Sequence, residues 1–152
     1  MQKLATAVVS TALAGGLILT AAPSSDAATT LRSKALSTAT AQKGDPYKGG
    51  AAGPNAYDCS GLITYSYKKH GKTLPHNAQQ QYNKSSKITA SKRAKGDLVF
   101  IGSSTKNIWH VGIYVGDGKM LNANSGKYRG KKVVVAPIKE YGAHAYYGRI
   151  NG

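Results

Sequence analysis

Cysteine is nearly absent from this sequence. Cys59 is the single cysteine among 152 residues, so no disulfide can form within the chain. A lone thiol is either a small buried apolar group or a chemically active one. The residues around Cys59 have to distinguish these two possibilities.

Acidic residues are also scarce, with six Asp and Glu against 21 Lys and Arg. Five of them follow residue 27, namely Asp45, Asp58, Asp97, Asp117 and Glu140. A glycosidase needs two carboxyl groups flanking one bond, and nothing in the sequence pairs these. The histidines fit no zinc-ligand spacing, since they stand at His70, His76, His110 and His144. The sequence therefore predicts neither a metal nor a cofactor.

The net charge of +15 predicts attraction to polyanions such as nucleic acid, acidic membranes or the anionic polymers of a bacterial wall. The basic residues are scattered, and they form neither a helical recognition stripe nor part of a zinc finger. We therefore expect no nucleic-acid partner and favour an extracellular polyanion, such as an anionic wall polymer. A solvated basic surface without a specific partner is the alternative.

Long apolar runs are absent except at the N-terminus, where the pattern is typical of a signal peptide. Lys3 precedes an apolar stretch over residues 4–22, and a small-x-small cleavage site ends at Ala27. A membrane anchor is the alternative, but two glycines and four hydroxyl residues interrupt the stretch. We predict a signal peptide over residues 1–27 and one domain over residues 28–152. That domain is expected to be a secreted monomer, outside the cell or in the cell wall, with no stable membrane anchor.

Cys59 stands at the start of a predicted helix. Apolar or aromatic side chains follow at helical spacing until a glycine ends the run, at Leu62, Ile63, Tyr65, Tyr67 and Gly71. A thiol at a helix N-terminus faces unpaired N–H groups and the positive end of the macrodipole, which favour the thiolate. This is the usual position of a cysteine nucleophile, and a buried inert cysteine is the alternative.

The pattern elsewhere predicts helices first and strands afterwards. One helix is predicted over residues 29–43, and another runs to residue 85 after a cap at Asn77. A basic linker over residues 84–95 leads to five strands, at 97–101, 110–115, 119–123, 131–135 and 146–150. This order predicts an α+β domain in which N-terminal helices pack on an antiparallel sheet of about five strands.

The second and third strands predict a polar pair beside the cysteine helix. A three-residue loop at Gly116-Asp117-Gly118 pairs Ile113 with Leu121, apolar with apolar. It also places His110 and Asn122 as diagonal neighbours on one face, close enough for an imidazole–amide hydrogen bond. A helix packed on that face brings Cys59 to the imidazole, giving a nucleophile, a base and an orienting group.

Four sequence blocks resemble the NlpC-type cell-wall cysteine peptidases. They are Tyr57-Asp58-Cys59-Ser60-Gly61-Leu62, Leu74-Pro75, Gly96-Asp97-Leu98-Val99-Phe100 and His110-Val111-Gly112-Ile113-Tyr114-Val115-Gly116. The resemblance implies a papain-like α+β fold and hydrolysis of peptide bonds in peptidoglycan stems. The bond usual for the family joins D-γ-glutamate to a diamino acid.

The resemblance also implies roles for individual residues. Cys59 is the nucleophile, His110 the base, and Asn122 occupies the third polar position, where many relatives have histidine. Tyr47 falls where the family has a tyrosine that polarises the scissile carbonyl, so it would join the backbone N–H of Cys59 in an oxyanion site.

Three further residues are expected to contact the substrate. Asp58 and Ser60 match residues lining the pocket for the free amino end of the stem, and Asp58 also suits a helix N-terminus. His76 stands where the family commonly has the arginine of a Leu-Pro-Arg motif. A tryptophan common before the cysteine is missing as well. Both departures concern which bond is cleaved. The alternatives to a peptidoglycan peptidase are a non-catalytic wall-binding module, or an amidase or acyl transferase on the same fold.

Overall fold

The computed structural model of the protein describes residues 23–126 and 129–152. Its helices are α1 (Pro23–Thr40), α2 (Cys59–Lys68) and α3 (Ala78–Lys84). Its strands are β1 (Ser86–Ile88), β2 (Leu98–Ser104), β3 (Asn107–Gly116), β4 (Lys119–Gly126), β5 (Gly130–Pro137) and β6 (His144–Arg149). Short 3₁₀ turns cover Ala90–Lys92 and Ile138–Tyr141. Residues 1–22 of the predicted signal peptide lie outside the described residues.

The strands form one antiparallel sheet in the order β1-β6-β2-β3-β4-β5. The predicted α+β class, with helices first and an antiparallel sheet after them, is confirmed. The described residues contain six strands instead of about five, because β1 forms in the stretch interpreted as linker and pairs with β6. Three residues are too few to show the alternation by which a strand is recognised.

The helices cover one face of the sheet, and α2 makes the central contact with β3 and β4. A ten-residue helix is marginal on its own in water, so α2 depends on its buried face. Leu62, Ile63 and Tyr67 are fully buried there, and full burial of an apolar side chain contributes about 1.5–3 kcal/mol. Packing on the sheet therefore fixes the position of the helix and of its first residue, Cys59.

Glycine is required at the second residue after the cysteine. A Cβ at Gly61 would lie 2.0 Å from the carbonyl oxygen of Ala51, much closer than a non-bonded contact allows. The loop before α2 therefore rests directly on the first helical turn. This close approach holds the loop, which carries Tyr47, against the start of the helix.

The β3–β4 hairpin has the predicted register, and Ile113 pairs with Leu121. Its turn differs from the expected three-residue loop. Gly116 pairs with Lys119, so the turn consists of Asp117 and Gly118, with positive φ of 54° and 68°, as a type I′ turn requires. A one-residue irregularity between Tyr114 and Gly116 then restores the apolar pairing. The predicted loop was therefore one residue too long, and the extra residue forms a bulge in β3 instead.

None of the helices in the described part of the chain combines the length and the apolar character needed to cross a membrane.

Candidate functional site

Cys59 and His110 share a small surface cleft of about 200 Å³ between the start of α2 and the sheet. Aromatic, amide and hydroxyl side chains complete its lining: Tyr47, Trp109, Asn124, Ser125 and Tyr141. Larger depressions exist elsewhere on the described surface, including one of about 440 Å³ beside α1, but the residues around that one include no cysteine. The candidate site is therefore identified by its chemistry and not by its size.

Cys59 is the first residue of α2 and is partly exposed to solvent. Burial raises the pKa of its thiol, and the neighbouring Asp58 carboxylate raises it further. Hydrogen bonds from the backbone of Val111, Ser60 and Cys59 itself lower the pKa, but they do not outweigh these causes. The helix N-terminus was expected to favour the thiolate. In the structure the thiol is the favoured form, because burial and the charge of the Asp58 cap both oppose the thiolate.

His110 lies on β3 and is held by an amide. Burial lowers its pKa to about 4, while the hydrogen bond with Asn122 acts in the opposite direction. Its Nε2 lies 3.0 Å from Oδ1 of Asn122, so the predicted imidazole–amide hydrogen bond is present. At neutral pH the ring is therefore uncharged and able to accept a proton.

The orientation of the Asn122 amide follows from its other contacts. Its Nδ2 donates to the carbonyl oxygen of Val134 at 3.1 Å, and its Oδ1 accepts from the hydroxyl of Tyr141 at 2.5 Å. The oxygen therefore faces His110, and the Nε2 of His110 must be the donor. In the neutral imidazole this leaves Nδ1 as the acceptor, the nitrogen that a general base needs.

Tyr141 is a residue of this site that sequence analysis missed. Its ring stacks on that of His110, with 4.9 Å between centroids and 16° between planes. The same side chain donates to Asn122, so it contacts both members of the pair. Tyr141 ends the 3₁₀ turn Ile138–Tyr141 and is 19 residues from Asn122. No motif or periodicity in the sequence connects that turn to the histidine.

Tyr47 lines the same cleft as Cys59. Its backbone N–H donates to the carbonyl oxygen of Lys131 on β5 at 3.0 Å, which anchors the loop to the sheet. Burial raises the pKa of the Tyr47 hydroxyl, and the charges of Cys59 and Asp58 add to the effect. The hydroxyl therefore stays protonated and can donate a hydrogen bond.

The three residues predicted to contact substrate form a separate cluster around the helix cap. Oδ1 of Asp58 lies 2.7 Å from the N–H of Gly61, 2.6 Å from Nε2 of His76 and 3.4 Å from the hydroxyl of Ser60. Its Oδ2 accepts from the N–H of Gly50 at 2.8 Å. None of Asp58, Ser60 and His76 lines the cleft with Cys59, and Ser60 is 6% exposed. Asp58 caps the start of α2, and His76 and Ser60 bond its carboxylate.

Within the described part of the chain, no three His, Cys, Asp or Glu side chains converge in a way that suits a metal ion.

Fold and site together define a papain-like α+β domain in which a cysteine and a histidine share one cleft and a buried asparagine bonds the histidine. The chain belongs to the NlpC/P60 family, whose model matches residues 44–148.

Three relatives illustrate the range of this family. The chain is 47% identical over 85 residues to the bifunctional muramidase/DL-endopeptidase CwlT of Bacillus subtilis, which covers 54% of this chain and 26% of the relative. The crystal structure of the P60 domain of a Mycobacterium avium subspecies paratuberculosis antigen is 30% identical, with a TM-score of 0.70. The match covers 82% of this chain and 98% of that domain. RipD of Mycobacterium tuberculosis is described as a non-catalytic NlpC/p60 domain protein adapted to peptidoglycan binding. It is 29% identical, with a TM-score of 0.65, and the match covers 79% of this chain and 97% of RipD.

The chain matches a minor part of the longer relatives. It spans 26%, 16%, 18% and 25% of the length of four curated relatives, all of them named as endopeptidases. What these longer proteins do as a whole belongs to their full chains.

Proposed function

We propose that the protein is a secreted peptidoglycan hydrolase that cleaves stem-peptide bonds with Cys59, His110 and Asn122. The bond that we propose joins D-γ-glutamate to a diamino acid. The observation that supports this function most is the His110–Asn122 hydrogen bond at the cleft that contains Cys59. This bond occupies Nε2 and leaves Nδ1 of the neutral imidazole to accept a proton at the cleft that Cys59 also lines.

The mechanism starts from a neutral pair. As Sγ of Cys59 attacks the scissile carbonyl carbon, the thiol proton passes to Nδ1 of His110. The carbonyl oxygen becomes an oxyanion, which the Tyr47 hydroxyl and the backbone N–H of Cys59 stabilise. The Asn122 oxygen stabilises the imidazolium that forms, through the bond to Nε2. His110 then protonates the leaving nitrogen, the C–N bond breaks, and the acyl group remains on Cys59.

The second half of the reaction reverses the proton transfer. His110 accepts a proton from water, the water oxygen attacks the thioester carbon, and the C–S bond breaks. The thiolate regains a proton from the imidazolium, which returns both groups to their neutral forms. A pKa near 4 makes His110 a weak base towards the thiol, but its imidazolium is a strong acid that gives up its proton readily to the leaving nitrogen and to the thiolate.

A non-catalytic wall-binding module is the second candidate, and the likeness to RipD supports it. An amidase or acyl transferase on the same fold is a third. The three differ in what they release from the wall, since a binding module releases nothing and the two enzyme classes open different bonds.

Mass spectrometry of digested muropeptides tests the proposal. We expect the purified protein to convert tetrapeptide muropeptides into a fragment ending in D-glutamate and a fragment beginning with the diamino acid. New free amino groups should appear in step with these masses. Retention of the protein on peptidoglycan without such fragments would support the binding module instead, and a fragment cut at another bond would reassign the specificity.

Tyr141 provides a second test, because we propose that it positions His110 and Asn122. Tyr141→Phe keeps the ring stack and removes the O–H donor, so kcat should fall about three- to tenfold, the value of one hydrogen bond. Tyr141→Ala also uncovers the imidazole. The pKa of His110 should then rise from about 4 towards its ordinary 6.5, and the acid limb of kcat/KM should move to higher pH.

The pH profile separates positioning from a general loss of stability. Tyr146→Phe is a matched control, since its ring contacts Tyr82 on α3 and lies outside the cleft. We expect this control to leave both kcat and the acid limb unchanged. An acid limb that stays in place in Tyr141→Ala would contradict a role for Tyr141 in shielding His110.

A further inference from the structure

Trp109 is the one tryptophan of the chain, and it lies at the candidate site. Its side chain is 52% exposed, which makes it the exposed large apolar residue of the described part of the chain. It lines the cleft together with Cys59 and His110. A single exposed apolar side chain needs no explanation by itself, but this one stands beside the reacting groups.

A bulge explains how Trp109 and His110 reach the same cleft. Neighbouring residues on a regular strand point to opposite faces. His110 pairs with Ile101 and Ile108 pairs with Gly102, so Trp109 is the extra residue on β3. Bulges redirect a side chain and occur next to active sites. Gly102 is required opposite the bulge, because a Cβ there would lie 2.2 Å from the carbonyl oxygen of Asn107.

Asn124 is a second, independent feature of the same cleft. It is 1% exposed, and its Oδ1 accepts from the N–H of Gly126 at 3.0 Å. Its Nδ2 has no hydrogen-bond partner among the described residues, although Asn124 lines the cleft. A buried amide N–H that is left unpaired is costly. The unpaired donor therefore calls for an acceptor from a ligand.

The mechanism determines which part of the substrate meets these two residues. His110 has to protonate the leaving nitrogen, so it lies on the leaving-group side of the scissile bond. Trp109 is its neighbour in the chain, and Asn124 lies two residues beyond Asn122, the partner of His110. Both therefore belong to the leaving-group side, whereas Tyr47 serves the carbonyl oxygen.

We propose that Trp109 and Asn124 form the subsite for the residue whose amine is released. The indole packs on the aliphatic chain of that residue, and Nδ2 of Asn124 donates to its carbonyl oxygen. A diamino acid with a further residue attached supplies both the aliphatic chain and the carbonyl oxygen. This inference rests on the proposed function, because it assumes that His110 protonates a leaving amine.

Fluorescence of the single tryptophan tests the subsite without turnover. The full chain carrying Cys59→Ala is titrated with lysyl-D-alanine, which represents the leaving half, and with L-alanyl-D-glutamate, which represents the acyl half. We expect lysyl-D-alanine to change the emission of Trp109 in a saturable way and L-alanyl-D-glutamate to leave it unchanged. Adding Asn124→Ala should weaken binding of lysyl-D-alanine about tenfold.

Asn151→Ala is the matched control, because Asn151 is exposed and its amide donates to Ser86 at the far end of the sheet. It should bind lysyl-D-alanine as tightly as the parent does. In the protein with Cys59 intact, Trp109→Ala should raise KM for muropeptides about tenfold and change kcat less. Circular dichroism checks that the Asn124→Ala and Trp109→Ala variants fold.

The outcomes separate this subsite from the proposed function. Muropeptide cleavage by the wild type with a flat lysyl-D-alanine titration would overturn the subsite alone. Equal affinity in Asn124→Ala, or an emission change with the acyl half, would overturn it as well. A saturable titration in a protein that cleaves no muropeptide would refute the hydrolase and would leave Trp109 and Asn124 as a binding site for this dipeptide, without the leaving-group role.

Discussion

Replacing Cys59 with alanine is expected to abolish cleavage of peptidoglycan while the protein remains folded. The sulfur is the atom that forms the acyl-enzyme in the proposed mechanism, and the side chains that line the cleft include no second thiol. Loss of the nucleophile in enzymes of this kind lowers kcat by about 10⁴-fold or more. Folding should tolerate the change, because alanine suits a helix and the Asp58 cap is retained.

The measurement is the release of muropeptide fragments by the wild type and by Cys59→Ala at equal concentration. Cys59→Ser is the informative control, since it keeps a side chain of similar shape but replaces the thiol with a much weaker nucleophile. Both variants should unfold within a few degrees of the wild type and should still bind peptidoglycan. Fragment release that persists in Cys59→Ala would show that Cys59 is not the nucleophile.

The positions of Cys59 and His110 were predictable because each of the two residues has a local signal in the sequence. The apolar pattern after Cys59 marks the start of a helix, and the alternation around His110 marks a strand. The hairpin register then follows from matching apolar residues across the turn, even though the turn has two residues and a compensating bulge. Residues close in sequence, or joined by one turn, are thus accessible to pattern analysis.

The remaining parts of the site depend on contacts that leave no pattern. Tyr141 reaches His110 from a 3₁₀ turn, and Trp109 reaches the cleft through a bulge that breaks the alternation by which β3 is recognised. The charge state of Cys59 was also misjudged. A helix terminus favours the thiolate, but burial and the Asp58 carboxylate oppose it, and burial is a property of the packed structure.

An ion-pair network centred on Asp97 joins distant parts of the chain, and it provides the second prediction with a large effect. Asp97 is fully buried just before β2. Its carboxylate accepts a hydrogen bond from Arg32 of α1 at 2.6 Å and one from the N–H of Ala94 at 2.8 Å. It also accepts from Nε and Nη2 of Arg149 of β6, at 2.8 and 2.9 Å. One carboxylate therefore joins the first helix and the last strand to the centre of the sheet.

Asp97→Asn is expected to destabilise the protein by about 3–5 kcal/mol, the usual cost of breaking a buried ion pair on one side. The amide has nearly the same shape, but it carries no charge. Its NH2 group would also face an N–H donor where an oxygen accepts now. Asp117→Asn is the matched control, because Asp117 is exposed in a turn and asparagine tolerates its positive φ of 54°. Urea unfolding should show almost no change in that control.

The dependence of stability on pH identifies the charge as the cause. Burial alone would raise the pKa of Asp97, but hydrogen bonds from Arg149, the Ala94 N–H and Arg32 hold it below its ordinary 3.8. A carboxyl whose pKa is lowered by folding stabilises the folded state fully above the unfolded pKa. That contribution is lost as the pH falls through the folded pKa. The difference in unfolding free energy between wild type and Asp97→Asn should therefore be largest near neutral pH and should shrink once the pH falls below about 4. A difference that stays constant from neutral pH into that acidic range would mean that shape, and not charge, makes Asp97 essential to the fold.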